Sequence, residues 1–266
     1  MTLFSEREGY KNISKLDPEV MPDKVRNRIW NSVKKFLNKN SNRNKVIENT
    51  WDRFFKEDID NLNGKRVTGI GVVYNLKEIK LKFYNLKWFE VYDFIEFILK
   101  NLRGDTIGLK KKIEKIFEDE KVPYRIINKK ITQISSKSEA REVEAVLENE
   151  DLSESKNHIK KALIHFSKNP NPDYCNSIKE SISAIEALAR NITGNEKGTL
   201  GDLVKSLNIH PAFKDGINSL YGWTSDEGGI RHAEKETEFV ISKEEARYML
   251  VTSSALVNYI ISKEDK

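Results

Sequence analysis

The chemistry of this 266-residue chain concentrates in one segment, LYGWTSDEGGIRHAE at 220–234. It sets an aromatic pair, the hydroxyls of Thr224 and Ser225, the adjacent carboxylates of Asp226 and Glu227, a Gly-Gly and an Arg-His dipeptide close together in what the pattern predicts as a connection between helices. Arg231 is a permanent planar cation whose donors suit phosphate oxygens. His232 gives or takes a proton near neutral pH. These two types meet the minimal needs of phosphodiester cleavage without a metal. The imidazole deprotonates a ribose 2′-hydroxyl or protonates the leaving oxygen, and the guanidinium stabilises charge growing on the phosphate. A plainer reading of the same residues has Asp226 or Glu227 pairing with Arg231 to pin the loop. Glu186 and Arg190, spaced i,i+4, form a second candidate pair on a helix. They read either as a surface salt bridge or as a support that orients Arg231 and His232.

Other reaction classes fall away. The one Gly-Lys pair, Gly64-Lys65, lacks the earlier glycine and the following Ser/Thr of a phosphate-cradling loop. The Gly-Ile-Gly at 69–71 lacks the third glycine of a dinucleotide fingerprint, and neither HExxH nor GxSxG occurs. His158 and His165 lie seven apart on one helix among lysines and read as surface residues rather than metal ligands. Cys175, the single cysteine, excludes a disulfide framework or a Cys-rich zinc site within one chain. It sits in the first turn of a helix, where the dipole lowers a thiol pKa, yet a structural role suits it better than a nucleophilic one. No metal and no cofactor are expected.

The elements that must position these residues are mostly helical. Val25, Ile29, Val33 and Phe36/Leu37 recur at three-to-four spacing, as do Ile47, Trp51 and Phe54, then Trp88 to Leu102, then Leu109 to Phe117. Residues 66–85 combine β-branched residues, glycines and an alternating stretch, which leaves strand and helix both open. VPYRIINKKITQI, 122–134, predicts a hairpin turning at Asn128 and Lys129. Ser136 with Glu139 predicts a capping box. The acidic stretch ENEDLSES, 148–155, is the expected domain boundary, giving domains 1–150 and 151–266. Beyond it, helices are expected around Ile159 to Phe166, from Asp173 to Gly194, from Thr199, from Pro211 to about Gly222, and from the Ser242/Glu245 capping box. The expected fold is therefore mainly α: an N-terminal helical domain with a small β-hairpin, then a C-terminal helical bundle.

Charge is uneven. Residues 1–150 carry 31 Lys and Arg against 24 Asp and Glu, whereas residues 151–266 carry 15 against 17. A basic first half suits a polyanion such as nucleic acid, although lysine-rich helix surfaces are commonly just solvated. No apolar run approaches the roughly 20 residues of a membrane span, and no signal-peptide pattern opens the chain. A cytoplasmic protein without a membrane partner is expected.

Several segments resemble a known group. PDYCNSIKESISAIEAL at 172–188, GTLGDLV at 198–204, HPAF at 210–213, YGWTSDEGGIRHA at 221–233 and LVTSSALVNYI at 250–260 resemble a HEPN domain. FSEREG at 4–9, VRNRIWNSV at 25–33, WFEVYDFIEFI at 88–98 and YRIINKKITQI at 124–134 resemble the N-terminal domain of AbiJ-like abortive-infection proteins of bacteria. The resemblance implies an AbiJ-type domain over 1–150 and a HEPN-like helical bundle over 151–266. It implies an anti-phage protein whose bundle forms a homodimer and acts on RNA, tRNA included, as a metal-independent endoribonuclease. Arg231 and His232 would be catalytic, with Asp226, Glu227, Glu186 and Arg190 supporting. HEPN enzymes usually place the histidine several residues after the arginine, whereas here the two are adjacent. A non-catalytic module that dimerises and binds RNA or a partner protein is the alternative.

Overall fold

A computed structural model describes residues 4–8, 10, 15–67, 71–101, 106–168, 170–225 and 241–264. The architecture is mainly α, and the chain divides into two compact units, Met1–Ser135 and Ser136–Lys266. Among the described residues no helix is long and apolar enough to cross a membrane.

In the first unit a short α1 (Phe4–Arg7) precedes α2 (Asp23–Leu37). Pro22 occupies the N-cap position of α2 in extended conformation, and Asp23 places a carboxylate in its first turn, where the helix dipole favours it. The three-to-four spacing buries Val25, Ile29, Trp30, Val33 and Leu37 on one face. α3 (Arg43–Asn49) runs into a wider i→i+5 turn over Thr50–Phe54, so the expected Ile47–Trp51–Phe54 stripe spans two helix types. The undecided stretch resolves into a hairpin and a helix. β1 (Gly64–Val67) and β2 (Gly71–Tyr74) pair antiparallel with Gly64 opposite Tyr74, and α4 (Lys77–Asn85) follows. A Cβ on Gly64 would lie 2.5 Å from Val72 Cγ1, so the close cross-strand approach needs glycine there. β2 is held from outside by α3: Arg43 Nη2 donates to Tyr74 O at 2.8 Å and Asn44 Nδ2 donates to Val72 O.

α5 (Trp88–Asn101) and α6 (Thr106–Asp119) complete this core. At its centre Phe83 meets Phe94 at 4.9 Å and Trp30 at 5.4 Å between ring centroids. β3 (Arg125–Ile127) and β4 (Lys130–Thr132) form the expected hairpin. Asn128 and Lys129 both take positive φ, +48° and +60°, as a two-residue turn matched to strand twist requires. Carboxylates seat it: Glu96 Oε1 accepts from Ile131 N at 2.8 Å and Glu114 accepts from Ile126 N.

The second unit contains α7 (Lys137–Glu148), α8 (Ser153–Ser167), α9 (Tyr174–Thr193), α10 (Leu200–Ser206), α11 (Pro211–Ser225) and α12 (Lys243–Glu264). Ser136 caps α7 by accepting from Glu139 N, and Asp173 caps α9 by accepting from Asn176 N at 3.0 Å. Gly194 ends α9 with φ +66°, a left-handed conformation in which a side chain would be strained. α9 touches α8, α10, α11 and α12. The two units divide earlier than residue 150. α7 buries Ala140, Val143, Val146 and Leu147 and packs on α12 and α8, with Asn258 Nδ2 donating to Glu142 O at 3.0 Å.

Candidate functional site

α8 and α9 run antiparallel with a regular register. Ser155 Oγ donates to Ala184 O and Ser177 Oγ donates to Ala162 O, each at 2.9 Å. These buried hydroxyls satisfy themselves on the facing backbone and let the two helices approach closely. On the flank of the same seam, His158 Nδ1 lies 2.6 Å from Glu180 Oε2, and His165 Nδ1 lies 3.6 Å from Asp173 Oδ2. Seven residues back along α8 match seven forward along α9.

The two histidines are thus half-buried partners of α9 carboxylates and not plain surface residues. Helical periodicity within one element does not show these pairings, because they join residues 22 and 8 apart across a helical hairpin. A signal was present: Asp173 and Glu180 repeat on α9 the seven-residue spacing of His158 and His165 on α8. Burial works against the Asp173 charge. The side-chain and backbone bonds from Asn176, with His165 and Lys168 nearby, outweigh it and hold the carboxyl below its usual range. Cys175 is half-buried in the first turn of α9.

The expected supporting pair forms on α9, with Arg190 Nη2 2.6 Å from Glu186 Oε1. Arg190 Nε is buried and makes no hydrogen bond. Arg190 stands on a cleft of about 580 Å3 between the start of α8, at Ser153 and Glu154, and the end of α9, at Asn191, Gly194 and Glu196. Glu186 neutralises the guanidinium, and Glu154 and Glu196 add two more carboxylates. The cleft therefore carries an excess of negative charge and is not built to hold phosphate unaided.

The expected connection starts later than the pattern predicted. Leu220 to Ser225 belong to the last turns of α11, where Thr224 is buried and its Oγ1 donates to Tyr221 O at 2.8 Å. Arg231, His232, Asp226 and Glu227 lie outside the described residues.

The comparison with protein families places the first half of the chain. Residues 2–149 match the family AbiJ N-terminal domain 4. The chain belongs to that family. The AbiJ match spans α1 to α7 and stops before α8, so it takes in the first compact unit together with the helix that opens the second. No curated protein and no solved structure matches the chain.

Proposed function

We propose that this AbiJ-like protein is an abortive-infection factor whose C-terminal unit is a HEPN-type, metal-independent endoribonuclease. The observation that carries the anti-phage reading is the family membership of residues 2–149. The nuclease reading is supported by the Arg231–His232 dipeptide that follows α11 and by the resemblance of 172–188 and 221–233 to HEPN segments. The domain boundary assigned to that bundle is residue 151.

In this reading the bundle forms a homodimer in the cytoplasm and acts on RNA, tRNA among the candidates. Attack by a 2′-hydroxyl needs both a base and an acid, and each chain offers one candidate imidazole beside an arginine. His232 deprotonates the 2′-oxygen as it attacks the phosphorus, and His232 of the partner subunit protonates the leaving 5′-oxygen. Arg231 stabilises the added charge on the phosphate, with Asp226, Glu227 and the Glu186–Arg190 pair as supports. The products are a 2′,3′-cyclic phosphate and a 5′-hydroxyl.

The test is expression of the wild type and of His232→Ala and Arg231→Ala in a bacterium, with RNA integrity and growth as readouts. Each substitution is expected to cost cleavage on the order of 10²-fold or more. Cleavage is expected to persist in EDTA. Full activity in the His232 variant, or 5′-phosphate products, refutes the mechanism. One observation favours a second reading, a dimerising module that binds RNA or a partner protein without cutting. Adjacent residues on a helix point about 100° apart and do not share a face, so an adjacent pair suits catalysis only off a helix.

A further inference from the structure

The N-terminal unit carries a second cleft, of about 530 Å3, within the range of roughly 300–1,000 Å3 that small-molecule sites occupy. Lys34 and Asn38 enter it from the end of α2, Arg43 from the start of α3, and Asn63, Tyr74 and Asn75 from the two ends of the β1–β2 hairpin. Its walls hold two cations and no carboxylate, the reverse of the cleft beside Arg190.

Arg43 is half-buried, and it donates to neutral oxygens: Nη2 to Tyr74 O at 2.8 Å and Nη1 to Asn44 Oδ1 at 3.3 Å. Burial pushes its pKa down, with no acid offsetting the loss of water. The guanidinium stays charged, because its ordinary value is so high. A partly desolvated cation balanced only by carbonyl dipoles keeps its charge available to an anion. Lys34 stands exposed on the rim. Glu78 and Glu48 do not line the cleft but hold two of its wall residues from behind, Glu78 accepting from Asn63 Nδ2 at 3.0 Å and Glu48 from the Tyr74 hydroxyl. Asn75 Oδ1 accepts from Lys77 N at 3.0 Å, so two of the three carboxamides are already oriented.

We propose that this cleft binds a phosphorylated nucleotide, free or as one unit of an RNA strand, with Lys34 and Arg43 on the phosphate and the asparagines on the base. The space exceeds what a bare phosphate fills. Carboxamides offer a donor and an acceptor side by side, the pattern that a base edge complements, and Tyr74 adds an aromatic ring. The site lies wholly in the first unit, so it stands whether or not the C-terminal unit cuts RNA.

The experiment titrates the full chain with AMP, with inorganic phosphate and with a fluorescent single-stranded RNA of about ten nucleotides, a length that nucleic-acid grooves commonly take. Lys34→Glu is compared with Lys129→Glu, which makes the same charge change at the tip of the second hairpin, outside the cleft. Lys34→Glu is expected to weaken binding about 10-fold or more, and Lys129→Glu no more than about 2-fold. Asn38, Asn63 and Asn75 side-chain amide resonances are expected to shift when the bound probe is added. Arg43→Gln is expected to weaken binding similarly, scored only if its melting curve matches the wild type, since Arg43 also holds β2. AMP that binds or competes with RNA points to a free nucleotide, and RNA that AMP cannot displace points to a strand. Either supports the site. No binding of any probe at millimolar concentration overturns it, as does an equal loss in Lys34→Glu and Lys129→Glu, which would reduce the attraction to general charge.

Discussion

Phe83→Leu is the sharpest test of how the first unit is held. Phe83 is fully buried, with ring centroids of Phe94, Trp30 and Tyr84 at 4.9, 5.4 and 5.6 Å. Arg26 lies 6.0 Å above its ring and donates Nη1 to its carbonyl at 3.1 Å. Leucine keeps the position apolar and keeps the carbonyl bond, but removes three ring–ring contacts of about 0.5–1.5 kcal/mol each and leaves a small void. Allowing for partial collapse of the site, the expected loss is about 2–3 kcal/mol, or roughly a 30- to 150-fold change in the opening equilibrium. Hydrogen exchange read by mass spectrometry reports this segment by segment. Amides of α2, α4 and α5 that exchange through opening of the unit should lose protection by that factor. Those of α8 and α9, in the other compact unit, should change by less than about 3-fold. An equal loss in α8 and α9 would mean one cooperative core, contradicting the division at residue 135. A change below about 5-fold in α4 and α5 would remove Phe83 from the centre of the packing.

Lys129→Gly should raise stability by roughly 1 kcal/mol in urea unfolding, because Lys129 sits at φ +60° where a Cβ is strained; a fall would show that its side chain contributes more than the strain costs. Asp173→Ala should cost about 1 kcal/mol through loss of the α9 cap, while Asp173→Asn keeps a capping oxygen and costs less. The Asp173 carboxyl is held below its usual range, so the extra stability of the charged form is present above the unfolded carboxylate range near pH 4 and fades as pH falls through the folded value. The wild-type advantage over Asp173→Asn should therefore shrink below about pH 4, and an advantage constant down to pH 2 contradicts the assignment. A double-mutant cycle of His158→Gln and Glu180→Gln should return a coupling of roughly 0.5–1.5 kcal/mol; zero coupling would leave the contact without energetic content.

What the sequence made legible was local. The α2 stripe, the Ser136 and Asp173 caps, the Gly194 stop and the Asn128–Lys129 turn each depend on residues no more than a few apart, and each formed where the pattern placed it. Residues 66–85 did not decide themselves, because a long-range contact decides them. Arg43 and Asn44 of α3 hold the outer edge of β2, and nothing within the stretch announces that. The compact units divide before α7 for the same reason, since α7 buries its apolar face against α8 and against α12, the latter about a hundred residues later. Of the expected site, Glu186 and Arg190 pair as their i,i+4 spacing predicts, whereas His158 and His165 found carboxylates that only the folded hairpin brings near.

The seam between α8 and α9 behaves like a lock with several pins. Ser155 on Ala184, Ser177 on Ala162, His158 on Glu180 and His165 on Asp173 engage at one setting only. A slide by one helical turn, about 5.4 Å, would break all four contacts together. Intermediate positions satisfy none, so the helical hairpin has no soft sliding coordinate. Because the two helices run in opposite directions, the same contacts hold the start of α8 beside the end of α9 and so set the gap between Ser153 and Arg190. A ligand that fits the gap gains from that rigidity, and one that does not fit must open the whole seam to enter.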